Sequence, residues 1–173
     1  LTKSGAKKKV LYLADRNVLI DQTMVQDFRP FKKVMTKIQN KNLDPSYEIY
    51  MSLYQQLVSY DEGVKDPFTE FAPTFFDLIL VDECHRGSAR DDSAWRKILE
   101  YFSSATQIGM TATPKVKEGA NNLDYFNEGE YKEPLYTYSL KQGIEDGFLA
   151  PYRVTNSFLN VDLEGWSPEE DER

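Results

Sequence analysis

The chain is poor in the residues that build disulfide-stapled or zinc-centred proteins. Among 173 residues there is one cysteine, Cys84, and one histidine, His85. A single cysteine excludes an internal disulfide, and the pair excludes zinc sites assembled from clustered Cys and His. This usage fits a reducing compartment, so the expected location is the cytoplasm. Long apolar runs are lacking as well. No stretch approaches the roughly 18 to 20 apolar residues of a membrane span, and residues 1 to 15 lack the charged-then-apolar order of a signal peptide. Positive charge is in deficit: 21 Lys and Arg against 28 Asp and Glu leave a net charge of −7. The chain as a whole therefore has no electrostatic pull on nucleic acid, and any such contact must be local. Compositional bias is absent too. Hydrophobic residues at 40% and charged residues at 28% are ordinary globular values, which rules out a disordered, collagenous or coiled-coil chain.

What is present is an alternation of short apolar runs and helical patterns. Val10-Leu11-Tyr12-Leu13-Ala14 reads as a strand buried on both faces. From Asn17 to Phe28 the apolar positions Val18, Leu19, Met24, Val25 and Phe28 follow helical spacing, with Asp15 or Asn17 as N-cap and Pro30 beyond the end. A polar stretch, Lys37 to Ser46, precedes a second strand at Tyr47 to Leu53, after which Tyr54 to Ser59 starts a short helix. Residues 60 to 73 read as loop. Phe75-Phe76-Asp77-Leu78-Ile79-Leu80-Val81 is an apolar run that stops at Asp82-Glu83, the pattern of a central parallel strand with a site at its C-terminal end. An amphipathic helix over Ser93 to Phe102 puts Trp95, Ile98, Leu99 and Phe102 on one side, and Thr106 to Met110 is another strand. Residues 115 to 134 form an exposed excursion. Leu135 to Tyr138 returns to strand, Ser139 caps a helix through Ile144 that Gly147 stops, and Tyr152 to Leu159 is a last strand. The acidic end reads as linker.

The chemistry centres on Asp82-Glu83. Two adjacent carboxylates at the end of a buried strand are expensive to desolvate unless a partner compensates, and a hydrated magnesium ion would. In phosphoryl-transfer ATPases the Asp of such a pair holds Mg²⁺, usually through water, while a neighbouring carboxylate positions the attacking water. That assigns Asp82 to the metal and Glu83 to the general base. The alternative is that the pair only ends a strand and caps the next helix. Thr111-Ala112-Thr113-Pro114 begins 28 residues after Glu83, again just past a short strand. Its hydroxyls can reach the Asp-Glu turn if the two strands are neighbours in one parallel sheet.

With these residues in view, the chain resembles the first motor domain of superfamily 2 helicases and translocases, whose second and third motifs look like Asp82-Glu83-Cys84-His85 and Thr111-Ala112-Thr113. More narrowly, four segments look like the restriction subunit of type I restriction-modification enzymes. They are Leu13 to Gln22, Asp82 to Ala89, Ile108 to Pro114 and Gln142 to Tyr152. The resemblance implies an α/β, RecA-like parallel sheet flanked by helices, use of ATP and Mg²⁺, duplex DNA as track, and methyltransferase and specificity subunits as partners. His85, Thr111 and Thr113 would sense nucleotide state and couple it to the DNA side. Arg16, Asn17 and Gln22 resemble the family's first DNA-contacting motif and would hold phosphates from the start of a helix. Most superfamily 2 sequences place one residue fewer between the Arg and the Gln, which leaves open whether Arg16 or Asn17 takes the arginine's place. Tyr54-Gln55 resembles the next motif, with Leu53 where a threonine is common.

A phosphate-cradling Gly-x-x-x-x-Gly-Lys-Ser/Thr loop is not in the sequence. The implied organisation is a partial motor domain over residues 1–155, lacking the phosphate-loop strand and helix, followed by an acidic linker over 156–173. On that reading Lys7, Lys8 and Lys9 end a helix, favourably for its dipole, and the fragment alone is inactive. Two rivals stay open: another superfamily 2 DNA or RNA helicase, and a non-catalytic docking module with the same fold.

Overall fold

A computed structural model describes residues 5, 7–39, 43–61, 63–84, 89–113, 125–126, 134–153 and 155, with side chains of 89–94 left aside. The chain divides into two compact units, residues 1–133 and 134–173.

The first unit is an open, all-parallel sheet of five strands: β1 (Val10–Ala14), β2 (Met35–Lys37), β3 (Ile49–Leu53), β4 (Leu78–Val81) and β5 (Thr106–Gly109). Their spatial order is β2-β3-β1-β4-β5. β1 is central, paired in parallel with β3 on one side, where Val10 faces Ile49, and with β4 on the other, where Val10 faces Leu78. All five of its residues are buried, which is why the sequence shows a continuous apolar run and not an alternation.

Side chains of successive strand residues go to opposite faces, and each face has its own helices. On one face Leu11, Leu13, Tyr50, Ile79 and Val81 pack with α2 (Tyr54–Leu57) and α3 (Ala89–Tyr101), through Leu57, Trp95, Ile98, Leu99 and Phe102. Trp95, Ile98, Leu99 and Phe102 are wholly buried, as their spacing predicts. Burying each such side chain is worth about 1.5–3 kcal/mol. On the other face Val10, Tyr12, Ala14, Ile49 and Met51 pack with Ile20 of α1 (Asn17–Gln26).

Several local expectations are corrected. Val18 and Val25 of α1 are exposed; Ile20 is its fully buried residue, while Leu19 and Met24, with Phe28 just past the helix, pack part-buried against the same cluster as expected. The α1 N-cap is Arg16, with no side-chain cap hydrogen bond. β2 is not foreseen from the sequence and lies just ahead of the polar stretch that begins at Lys37, and residues 29–31 and 67–70 form short 3-10 turns. Lys7 to Lys9 are not a helix end. They clasp Asp77: the backbone N–H groups of Lys8 and Lys9 each donate to its Oδ2 at 2.9 Å, and Lys7 Nζ donates to its carbonyl at 3.0 Å.

In the second unit α4 (Leu140–Glu145) is opened by a capping box between Ser139 and Gln142, and Gly147 follows its end at φ 77°. Both features match the sequence reading. Residues 135–138 form no strand, and neither do Tyr152 and Arg153. The segment 156–173 lies outside the described residues.

Candidate functional site at the C-terminal edge of the sheet

Because every strand runs the same way, the residues that follow them collect along one edge. Asp15 and Arg16 follow β1, Tyr54 and Gln55 follow β3, Asp82 and Glu83 follow β4, and Met110 to Thr113 follow β5. The chain leaves β1 towards β2 and β3 but leaves β4 towards β5 on the opposite side. The β1–β4 boundary is thus the switch point at which open parallel sheets form their ligand crevices. Asp82 and Glu83 stand at it, on an interior strand.

Backbone hydrogen bonds carry the ladder past the strand ends. Asp82 N–H donates to Leu13 O at 2.8 Å and Met110 N–H donates to Val81 O at 2.8 Å. Cys84 N–H then donates to Met110 O at 3.1 Å. The Asp-Glu-Cys turn is stapled to the residue before Thr111, so the two short motifs are physically adjacent, as the sequence reading requires. Beyond it, Thr113 N–H donates to Thr111 Oγ1 at 3.1 Å.

The turn is strained. Glu83 sits at φ 50°, the one described non-glycine residue with positive φ. A left-handed conformation costs an L-residue about 1–2 kcal/mol, and such outliers gather at functional sites. Asp82 is held on both oxygens: Oδ1 accepts the Glu83 N–H at 2.9 Å, and Oδ2 accepts the hydroxyl of Tyr12. Burial, then the hydrogen bond to Asp82, pushes the Tyr12 phenol well above its ordinary pKa. It is a donor throughout the neutral range.

Around this centre lie further polar groups. Arg16 Nε approaches Asp15 Oδ2 at 3.4 Å, with the Arg16 side chain mostly in solvent. Asp15 Oδ1 and Gln55 Oε1 are buried and have no partner among the described residues. Asn17 and Gln22 are exposed on α1, whose first turn carries no acidic residue. Arg16 and Asn17 thus stand exposed at the start of α1, and Gln22 is exposed one turn further along it. His85 lies outside the described residues, and so does Pro114. Sequence reasoning missed Tyr12. Its only signal was a phenol within an apolar strand.

Magnesium suits the donors that are present. It favours hard oxygens, keeps several waters and takes one or two protein carboxylates together with phosphate oxygens. Asp82, Glu83 and the Thr111 and Thr113 hydroxyls are oxygen donors of that kind, and the described residues hold no group of three or more His, Cys, Asp or Glu that could form an all-protein cage. No described helix is long and apolar enough to cross a membrane.

Residues 1–116 match the family model described as "Type III restriction enzyme, res subunit". The type I restriction enzyme EcoAI endonuclease subunit of Escherichia coli is 56% identical over 168 residues, 97% of this chain and 20% of that protein. The EcoKI endonuclease subunit of Escherichia coli strain K12 is 28% identical over 86% of this chain and 14% of that protein. The chain thus spans about a fifth or less of the length of these relatives. Among solved structures, the UvsW helicase from bacteriophage T4 aligns with TM-score 0.47 and 18% identity, over 64% of this chain and 39% of that one. With a family model covering well over half of its residues, the chain belongs to the restriction-enzyme res-subunit family.

Proposed function

We propose that this chain is part of the ATP-driven DNA translocase motor of a type I restriction endonuclease subunit. The observation that carries the reading is the adjacency of Asp82-Glu83 and Thr111–Thr113 at the switch point of a parallel sheet. Bound Mg²⁺ would neutralise charge on the nucleotide phosphates. Asp82 would hold that ion, commonly through water, and Glu83 would orient the attacking water and accept its proton. Phosphoryl transfer asks the protein for positioning and charge neutralisation more than covalent chemistry, which a held Asp82 and its neighbour Glu83 can supply. His85, Thr111 and Thr113 would couple nucleotide state to the DNA side. Arg16, Asn17 and Gln22 would contact DNA phosphates from the uncapped start of α1, where free N–H groups favour anions. The phosphate cradle would come from other parts of the subunit. Methyltransferase and specificity subunits would supply sequence recognition.

The test is Asp82→Asn in the intact subunit, with ATP turnover measured with and without duplex DNA. The expected result is a loss of DNA-stimulated turnover of at least about 100-fold, the scale of removing one electrostatic catalytic group. Stimulation by RNA in preference to duplex DNA would favour another helicase. Wild-type subunit without turnover would favour a docking module.

A further inference from the structure

Tyr12 is the middle residue of β1 and lies buried on the α1 face, in a cluster that is otherwise apolar: Val10, Ala14, Ile20, Ile49 and Met51. Phenylalanine would fill the same space with no polar atom to satisfy. The hydroxyl is instead engaged on two sides. It donates to Asp82 Oδ2, and it lies 3.3 Å from Thr23 Oγ1 of α1. A phenol has a single proton. With that proton given to the carboxylate, the Thr23 hydroxyl must be the donor to the phenolic oxygen. The order is Thr23 to Tyr12 to Asp82, and hydrogen bonds in such a chain strengthen one another.

Register explains the reach. Tyr12 stands opposite Leu80 of β4, so Asp82 is two residues further along and on the same face. The ring spans that offset. Its other side meets Phe28, with ring centroids 6.2 Å apart. Asp82 is consequently fixed by its own turn through Oδ1 and by the neighbouring strand through Oδ2.

Resting on the nucleotide site proposed above, we infer that Tyr12 is a positioning residue that holds Asp82 in place for its metal. Thr23 ties this hold to α1, the helix that carries Asn17 and Gln22. Groups that orient a metal's carboxylate ligand commonly change metal affinity by about 10- to 100-fold when removed. The α1 link adds a consequence: a ligand that shifts α1 would change metal affinity at Asp82, and the reverse would hold to the same factor.

The experiment uses the intact subunit and two readouts titrated with Mg²⁺: binding of a fluorescent ADP analogue, and ATP turnover. Tyr12→Phe keeps the ring against Phe28. It is expected to raise the Mg²⁺ half-saturation of nucleotide binding about tenfold, with turnover at saturating Mg²⁺ within about threefold of wild type, a split that general loosening of the fold would not produce. Thr23→Val should shift the half-saturation the same way by roughly two- to threefold, as for a weakened hydrogen bond, and Thr23→Ser should restore it. An unchanged half-saturation in Tyr12→Phe, beside a raised one in Asp82→Asn, overturns the role of Tyr12 and leaves the nucleotide site standing. Unchanged values in both overturn the site as well. Equal shifts in Thr23→Val and Thr23→Ser overturn the α1 link. Should hydrogen exchange show that β1 has opened in Tyr12→Phe, the Thr23 pair decides: a Val shift rescued by Ser supports the inference, and no shift overturns it.

Discussion

Glu83 combines a left-handed backbone with a side chain for which left-handed geometry is unfavourable, directly after the carboxylate that Tyr12 holds. Glycine adopts that conformation freely. Glu83→Gly should therefore leave the fold as stable as before or firmer by up to about 1 kcal/mol, while ATP turnover in the intact subunit is lost. Hydrogen-exchange protection of the Cys84 and Met110 amides, which tie the turn to β4 and β5, reads the first effect. Weaker protection at those amides would mean that Glu83 serves the turn and not the chemistry. At this scale the sequence was partly legible. Asp82, Glu83, Thr111 and Thr113 stood out because polar residues after apolar strands are conspicuous. Tyr12 did not, because its hydroxyl reaches a partner 70 positions away, and no local pattern encodes such a pairing. The unpartnered Asp15 Oδ1 was likewise hidden: from sequence Asp15 looked like a helix cap, whereas the chain starts α1 at Arg16 without one.

Among elements, those with strong physical drives were readable. β1 and β4 are apolar runs that a buried parallel strand explains, and α4 is written in its capping box and its glycine stop. β2 escaped because three residues, two of them polar, make too little pattern for an edge strand. Leu135 to Tyr138 misled in the opposite way, since strand-prone residues form no strand without a sheet neighbour. The Lys7–Lys9 segment shows how tertiary partners override local rules. Its backbone amides bind Asp77, and those two bonds, from Lys9 first and Lys8 second, hold the Asp77 carboxyl below its ordinary pKa. A depressed acid stabilises the fold above its unfolded pKa of about 3.9 and loses that contribution as pH falls through the folded value. Protection factors of the Lys8 and Lys9 amides should thus be steady from neutral pH down to about 5 and then decline below about 4. In Asp77→Asn they should be lower at neutral pH and change little with acid. A wild-type decline between pH 7 and 5 would contradict the assignment.

For the whole molecule, the sheet does two jobs with one geometry. Its faces are closed by helices, with Tyr50, Phe71, Phe75 and Phe76 forming edge-on and stacked ring contacts on the α3 side. Its C-terminal edge is left to polar residues brought together from four strand ends. With a net charge of −7 this chain's overall field does not attract a polyanion, so under the proposed function any DNA contact it makes falls to local groups such as Arg16. What unites fold and function is the claim that Asp82 and Glu83 serve a magnesium nucleotide. The most direct measurement is a single-turnover assay of ATP cleavage by the intact subunit carrying Glu83→Gln, run beside nucleotide and DNA binding. Cleavage is expected to slow by about 100-fold or more, as for loss of a general base, with both binding affinities close to wild type. Cleavage at the wild-type rate would contradict that claim.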